Sequence, residues 1–126
     1  FLIVSFICIF SASVARSQSS AYAKFDAKGA TIGLYNLLSD ATGCEKSRVF
    51  SGVITKVRYD VGDSVYSYNF TLNAGGKRLN LSLIVSGDEI LQPDVEDIIN
   101  KNSRVRISAR LCGNGGFWTA EEIRRL

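Results

Sequence analysis

Residues 104–118 read RVRISARLCGNGGFW, and this stretch decides the fold. Val105, Ile107, Ala109 and Leu111 share one parity, while Arg104, Arg106, Ser108, Arg110 and Cys112 share the other. Apolar and polar residues alternating at period 2 predict a β-strand with one face in a core. A sulfur leaves the polar face at Cys112. The chain then turns through Gly113, Gly115 and Gly116 and presents two aromatics, Phe117 and Trp118.

Working outward, residues 117–126 form a last strand. Upstream the period changes to a helix: Pro93 at the first helical position, Asp94, Glu96 and Asp97 in the first turn, and Lys101 at the end. Val95, Ile98 and Ile99 supply its apolar face. Before it, Leu79, Leu81, Leu83 and Val85 alternate. Residues 65–73 alternate more cleanly still, with Tyr66, Tyr68, Phe70 and Leu72 inward. Ala74-Gly75-Gly76 joins these two strands as a hairpin. Residues 48–59 are a further strand, in which Val49, Val53, Val57 and Tyr59 alternate with polar residues and Phe50 and Ile54 add apolar weight on the other face. Gly52 within it predicts a bend or bulge. Residues 16–28 lack a period and form a flexible lead. Residues 30–41 place Leu34, Leu37 and Leu38 on one face of a short N-terminal helix that stops at Gly43.

Three strands, a helix and two more strands is the element order of the OB-fold. The expectation is a mainly β protein: a five-stranded antiparallel Greek-key barrel with a helix between the third and fourth strands and a short N-terminal helix. A chain of 126 residues suffices for one such domain. Residues 1–15 read as a secretory signal, 16–43 as an extension and 44–126 as the barrel. FLIVSFICIF is an uncharged apolar run, followed by Ser13-Val14-Ala15 as a small-residue cleavage site. The alternative is a buried N-terminal strand. Export to a secreted or periplasmic location leaves Cys44 and Cys112. An even count there points to one disulfide, with two buried free thiols as the alternative.

The chain has no His, which excludes imidazole zinc ligands and the usual general base. No constellation of carboxylate, Tyr, Lys or Cys replaces it. A non-enzymatic protein without a cofactor or metal is therefore expected. The net charge of +3 is mild. Asp60 and Asp63 flank a turn where carboxylates can accept hydrogen bonds from sugar hydroxyls, although Asp-x-Gly-Asp-Ser is also ordinary turn chemistry. Trp118 or Phe117 beside the glycine turn is a candidate saccharide platform or a barrel lid. Arg104, Arg106 and Arg110 point one way and could bind an oligonucleotide or other polyanion, or pair with Glu121, Glu122 or a neighbouring subunit. Asn69-Phe70-Thr71 and Asn80-Leu81-Ser82 are glycosylation sequons on outward positions.

Cys44, Ser51-Gly52-Val53, Tyr59-Asp60-x-x-Asp63-Ser64 and Cys112-Gly113-Asn114-Gly115-Gly116-Phe117 together resemble the receptor-binding B subunit of Shiga-type bacterial toxins, over residues 44–126. The resemblance implies a secreted OB-fold with a disulfide from before the first strand to the end of the fourth. It implies a ring of five subunits that binds cell-surface glycan or glycolipid and carries an A-type catalytic subunit. Asp63, Gly115 and Phe117 would then lie near the sugar, with Asp60 in the same acidic turn. Two other classes remain open: an exported OB-fold that binds oligonucleotide or another polyanion, and a protein-docking or inhibitor domain.

Overall fold

The alternating segments form strands. A computed structural model describes residues 21–38, 43–61, 65–86, 90, 92–113 and 118–126. Among the described residues the strands are β1 (Tyr22–Phe25), β2 (Thr31–Tyr35), β3 (Arg48–Val61), β4 (Val65–Ala74), β5 (Lys77–Ser86), β6 (Arg104–Leu111) and β7 (Trp118–Arg125), with a short helix, α1 (Gln92–Ile98), between β5 and β6. The signal-like residues 1–15, and with them Asp63, Gly115 and Phe117, lie outside the described residues.

Five strands close into a barrel in the order β3, β4, β5, β7, β6 and back to β3. The protein is mainly β, and the expectation of an all-antiparallel barrel is corrected at one contact. β5 and β7 run parallel, with Leu81 opposite Trp118 and Ser82 opposite Thr119. The reason is topological: a closed ring with an odd number of strands cannot alternate direction at every contact. Inward residues from all five strands, among them Ile54, Phe70, Leu81, Ile107 and Ile123, make one buried core. Val95 and Ile98 of α1, with Ile90 and Ile99, bury their side chains in the same core.

β3 is the longest strand and changes partner along its length. Arg48 to Val53 pair with β6, and Val53 to Val61 pair with β4, so Val53 has a neighbour on both sides. The pairing with β4 shifts between Ile54 and Lys56, a bulge that inverts the parity beyond it. The expected face of this strand is corrected accordingly. Val49 points outward and is 64% exposed, while Phe50 and Ile54 pack inward. Past the bulge Val57 and Tyr59 stand opposite Phe70 and Tyr68.

The expected N-terminal helix is also corrected. Thr31–Tyr35 is a strand, and the supposed flexible lead contains its partner, β1. β-branched Thr31 and Ile32 followed by Gly33 are poor helix formers. β7 also offers backbone groups that a strand can pair. Among the described residues β5 pairs β7 at Trp118 and Thr119, and β2 takes the same edge further on, at Ile123 and Arg124. Leu34 is thereby fully buried. Asp26 closes the β1–β2 turn, its carboxylate accepting from the backbone N–H groups of Lys28 and Ala30 at 2.9 Å each. Tyr22 and Tyr35 stack across the hairpin, with ring centroids 5.2 Å apart.

Cys44 and Cys112 are disulfide-bonded, as the cysteine count predicts, with Cα atoms 4.1 Å apart. The bond fastens the segment before β3 to the residue after β6, and the Glu45 N–H donates to the Leu111 carbonyl beside it.

Asp97 ties hairpin, helix and barrel together. Its carboxylate accepts the buried Thr31 backbone N–H at 2.6 Å and lies 3.6 Å from the Arg125 guanidinium. The Thr31 bond, aided by Arg125, holds the Asp97 carboxyl below its ordinary range against a smaller opposing effect of burial. A carboxylate depressed in the fold stabilises it above the unfolded pKa and loses that contribution as pH falls through the folded value. Thermal stability is therefore expected to fall below about pH 4. Asp97→Ala should cost about 1 kcal/mol at neutral pH by orphaning the Thr31 N–H, and should flatten the acid limb of a melting-temperature profile.

Candidate functional site

The register of the barrel brings together outward residues from different strands. One rung runs Lys56, Thr71 and Asn80 across β3, β4 and β5; the next runs Arg58, Asn69 and Ser82, continuing to Thr119 on β7 and Arg110 on β6. These outward positions are polar because the opposite parity fills the core. Hydrogen bonds link them across strands: Thr71 Oγ1 donates to Asn80 Oδ1 at 3.3 Å, Ser82 Oγ to Asn69 Oδ1 at 2.9 Å, and Asn69 Nδ2 to Asp60 at 2.9 Å. The two sequons thus face each other, the Asn of each against the Ser or Thr of the other.

Along this face lies a groove of about 800 Å³ lined by Lys56, Arg58, Asn69, Thr71 and Asn80. A second depression of about 430 Å³ shares Lys56, Thr71 and Asn80 and adds Asn73 and Arg78. Val57, Phe70 and Leu81 add apolar surface to the larger groove, and its amide, hydroxyl and cationic groups are donors and acceptors suited to a polyhydroxylated or anionic ligand.

Of the residues singled out from the sequence, Asp60 sits at the end of this face. It is paired with Arg58 at 3.3 Å and accepts from Asn69. Trp118 is half-buried and packs edge-on against Phe50, centroids 5.1 Å apart, with the Arg48 guanidinium 5.8 Å from its ring centre. It stands at the end of β7 remote from Arg125 and so covers the core as a lid does. The three arginines separate. Arg110 donates to Glu121 at 2.8 Å, the pairing that a purely structural reading of the sequence allows. Arg104 and Arg106 are exposed and have no carboxylate partner among the described residues.

Glu121 occupies the bulge that shifts the β6–β7 register between Ser108 and Ala109. Burial raises its pKa, but hydrogen bonds from Ser47 and Ser108 and the Arg110 guanidinium outweigh burial and hold the carboxyl below its ordinary range. Such a fully engaged carboxylate is a structural brace beside the disulfide rather than a free acid–base group. Among the described residues no three His, Cys, Asp or Glu side chains converge on a metal position, and no helix is long and apolar enough to cross a membrane.

Sequence reading missed Lys56, Arg58 and Arg78, which lie on two strands and meet only through register. The signal that was present is the pair of sequons, whose spacing on adjacent strands of a hairpin places Asn69 and Asn80 on one face. No family model, curated protein or solved structure matches the chain.

Proposed function

We propose that the chain is an exported, non-enzymatic OB-type barrel that binds cell-surface glycans on the outer face of β3, β4 and β5. The observation that carries this reading is the groove lined by Lys56, Arg58, Asn69, Thr71 and Asn80. Sugars are recognised by amides, hydroxyls and charged groups that offer donors and acceptors together, and OB-type barrels use this region of their surface for oligosaccharides. The five-strand barrel, with a helix between its third and fourth strands and a parallel β5–β7 contact, supports the OB assignment. The disulfide supports export. It also supports the resemblance to a toxin B subunit, since it runs from before β3 to just beyond β6. On that reading the chain forms a ring and carries an A-type subunit.

The test is a glycan array probed with the full chain, alongside Lys56→Ala combined with Asn80→Ala. Binding should fall about tenfold or more in the double variant, as two polar contacts are lost. Trp118→Ala should leave binding near the parent value if the melting temperature is kept. Loss of binding only in this variant would place the sugar beside Trp118 instead. Binding to no glycan would discard the reading, and light scattering of the same sample separates a ring from a monomer.

A further inference from the structure

Val53, where β3 changes partner, makes the groove continuous with the arginine-bearing strands. Its neighbour on one side is Arg104 of β6 and on the other Asn73 of β4, which in turn faces Arg78 of β5. Arg104, Val53, Asn73 and Arg78 therefore form one outward rung across four strands. Its ends are about 14 Å apart at three strand spacings. Lys56 stands on the adjacent rung on the groove side. Arg106 stands two residues from Arg104 on the other side, directly opposite Arg124 of β7.

Charge along this path is one-sided. Lys56, Arg78, Arg104 and Arg106 are exposed and make no ion pair among the described residues. Arg124 reaches only Glu122, at 3.4 Å between exposed side chains. Like charges directly opposite in an antiparallel pair oppose folding, so Arg106 against Arg124 is a local cost that a bound anion would relieve.

Resting on the glycan-binding reading above, we infer that the ligand is an extended polyanionic glycan, sulfated or uronate-rich, lying across the strands from Lys56 and Arg78 to Arg104 and Arg106. A small neutral sugar would fill the groove and leave those arginines unused. A nucleic acid fits less well, because single-strand binding relies on exposed aromatics for base stacking. Among the described residues of these strands the aromatics take the inward parity: Tyr68 and Phe70 are buried, Trp118 packs on Phe50, and Tyr59, although 37% exposed, stands opposite Tyr68 and donates its hydroxyl to Gln92.

The experiment titrates the full chain calorimetrically with heparin-derived oligosaccharides of two lengths, one short enough to fill only the groove and one longer than the four-strand rung. A neutral oligosaccharide and a single-stranded DNA serve as comparators. The longer sulfated ligand should bind more tightly than the shorter, and its affinity should fall steeply with salt. Arg104→Gln with Arg106→Gln should weaken the long ligand roughly tenfold and leave the short one unchanged. Lys56→Gln with Arg78→Gln should weaken both. The length and salt dependences of the parent chain keep the inference testable should a variant misfold. Salt-insensitive binding of the neutral oligosaccharide alone would keep the glycan reading and overturn this one. Equal binding of the DNA would overturn it in favour of nucleic acid, and no binding to any saccharide would remove both.

Discussion

Replacing Gly52 by alanine is expected to destabilise the barrel by about 3 kcal/mol or more, at the upper end of what overpacking costs. A Cβ at this position would lie 2.1 Å from the carbonyl oxygen of Asn73, 2.8 Å from its carbonyl carbon and 3.0 Å from the Cα of Ala74. All three are main-chain atoms of β4, so no rotamer change relieves the clash. The strands must part where β3 passes from β6 to β4. Ser51→Ala, one residue away on the outward face, should change stability by no more than about 0.5 kcal/mol. Denaturant unfolding of the two variants gives the comparison. An alanine at 52 with an unchanged midpoint would mean that β4 does not approach this closely.

Removing the disulfide should have the other large effect. Cys44 and Cys112 are 68 residues apart in sequence, and opening a loop of that length releases denatured-state entropy worth on the order of 4 kcal/mol. For a domain of this size that lowers the melting temperature by roughly 15 °C. The Cys44→Ser, Cys112→Ser double variant and the reduced parent chain should melt alike. Agreement between them separates loss of the crosslink from damage by the substitutions. A reduced chain that melts with the oxidised one would show that the bond constrains little.

Much of the barrel could be read directly. β4, β5 and β6 alternate without interruption, so their boundaries and inward faces follow from period alone, and Pro93 with its acidic neighbours marks α1. Each failure has a specific cause. In β3 the bulge after Ile54 splits one strand into two parities, so a single alternation fitted across it puts Val49 on the wrong face. At Leu34, Leu37 and Leu38 the leucine spacing imitates a helix. What decides the matter is an open stretch of β7 far away in sequence, which no local pattern reports. The parallel β5–β7 contact was implicit in counting five strands and requiring closure.

The site was less legible than the fold. Arg104 and Arg106 declare themselves by sharing a strand, and Arg110 shares it too, yet the bulge that brings in Glu121 engages Arg110 in an ion pair. Lys56, Arg78 and Asn80 lie up to two dozen positions apart, and only the paired registers of β3, β4 and β5 set them side by side.

The division of the β7 edge between β5 and β2 has a consequence for the margin that the sheet exposes. A strand whose hydrogen-bonding groups face solvent is a template on which other chains can stack. β5 covers the start of β7 and the N-terminal hairpin covers its end at Ile123 and Arg124. The vulnerable margin is thereby handed on to β1, a four-residue strand carrying Lys24 near its middle. Short length and a central lysine are what discourage edge-to-edge growth. The hairpin thus guards the barrel against open-ended edge-to-edge stacking, a duty separate from any ligand the outer face holds.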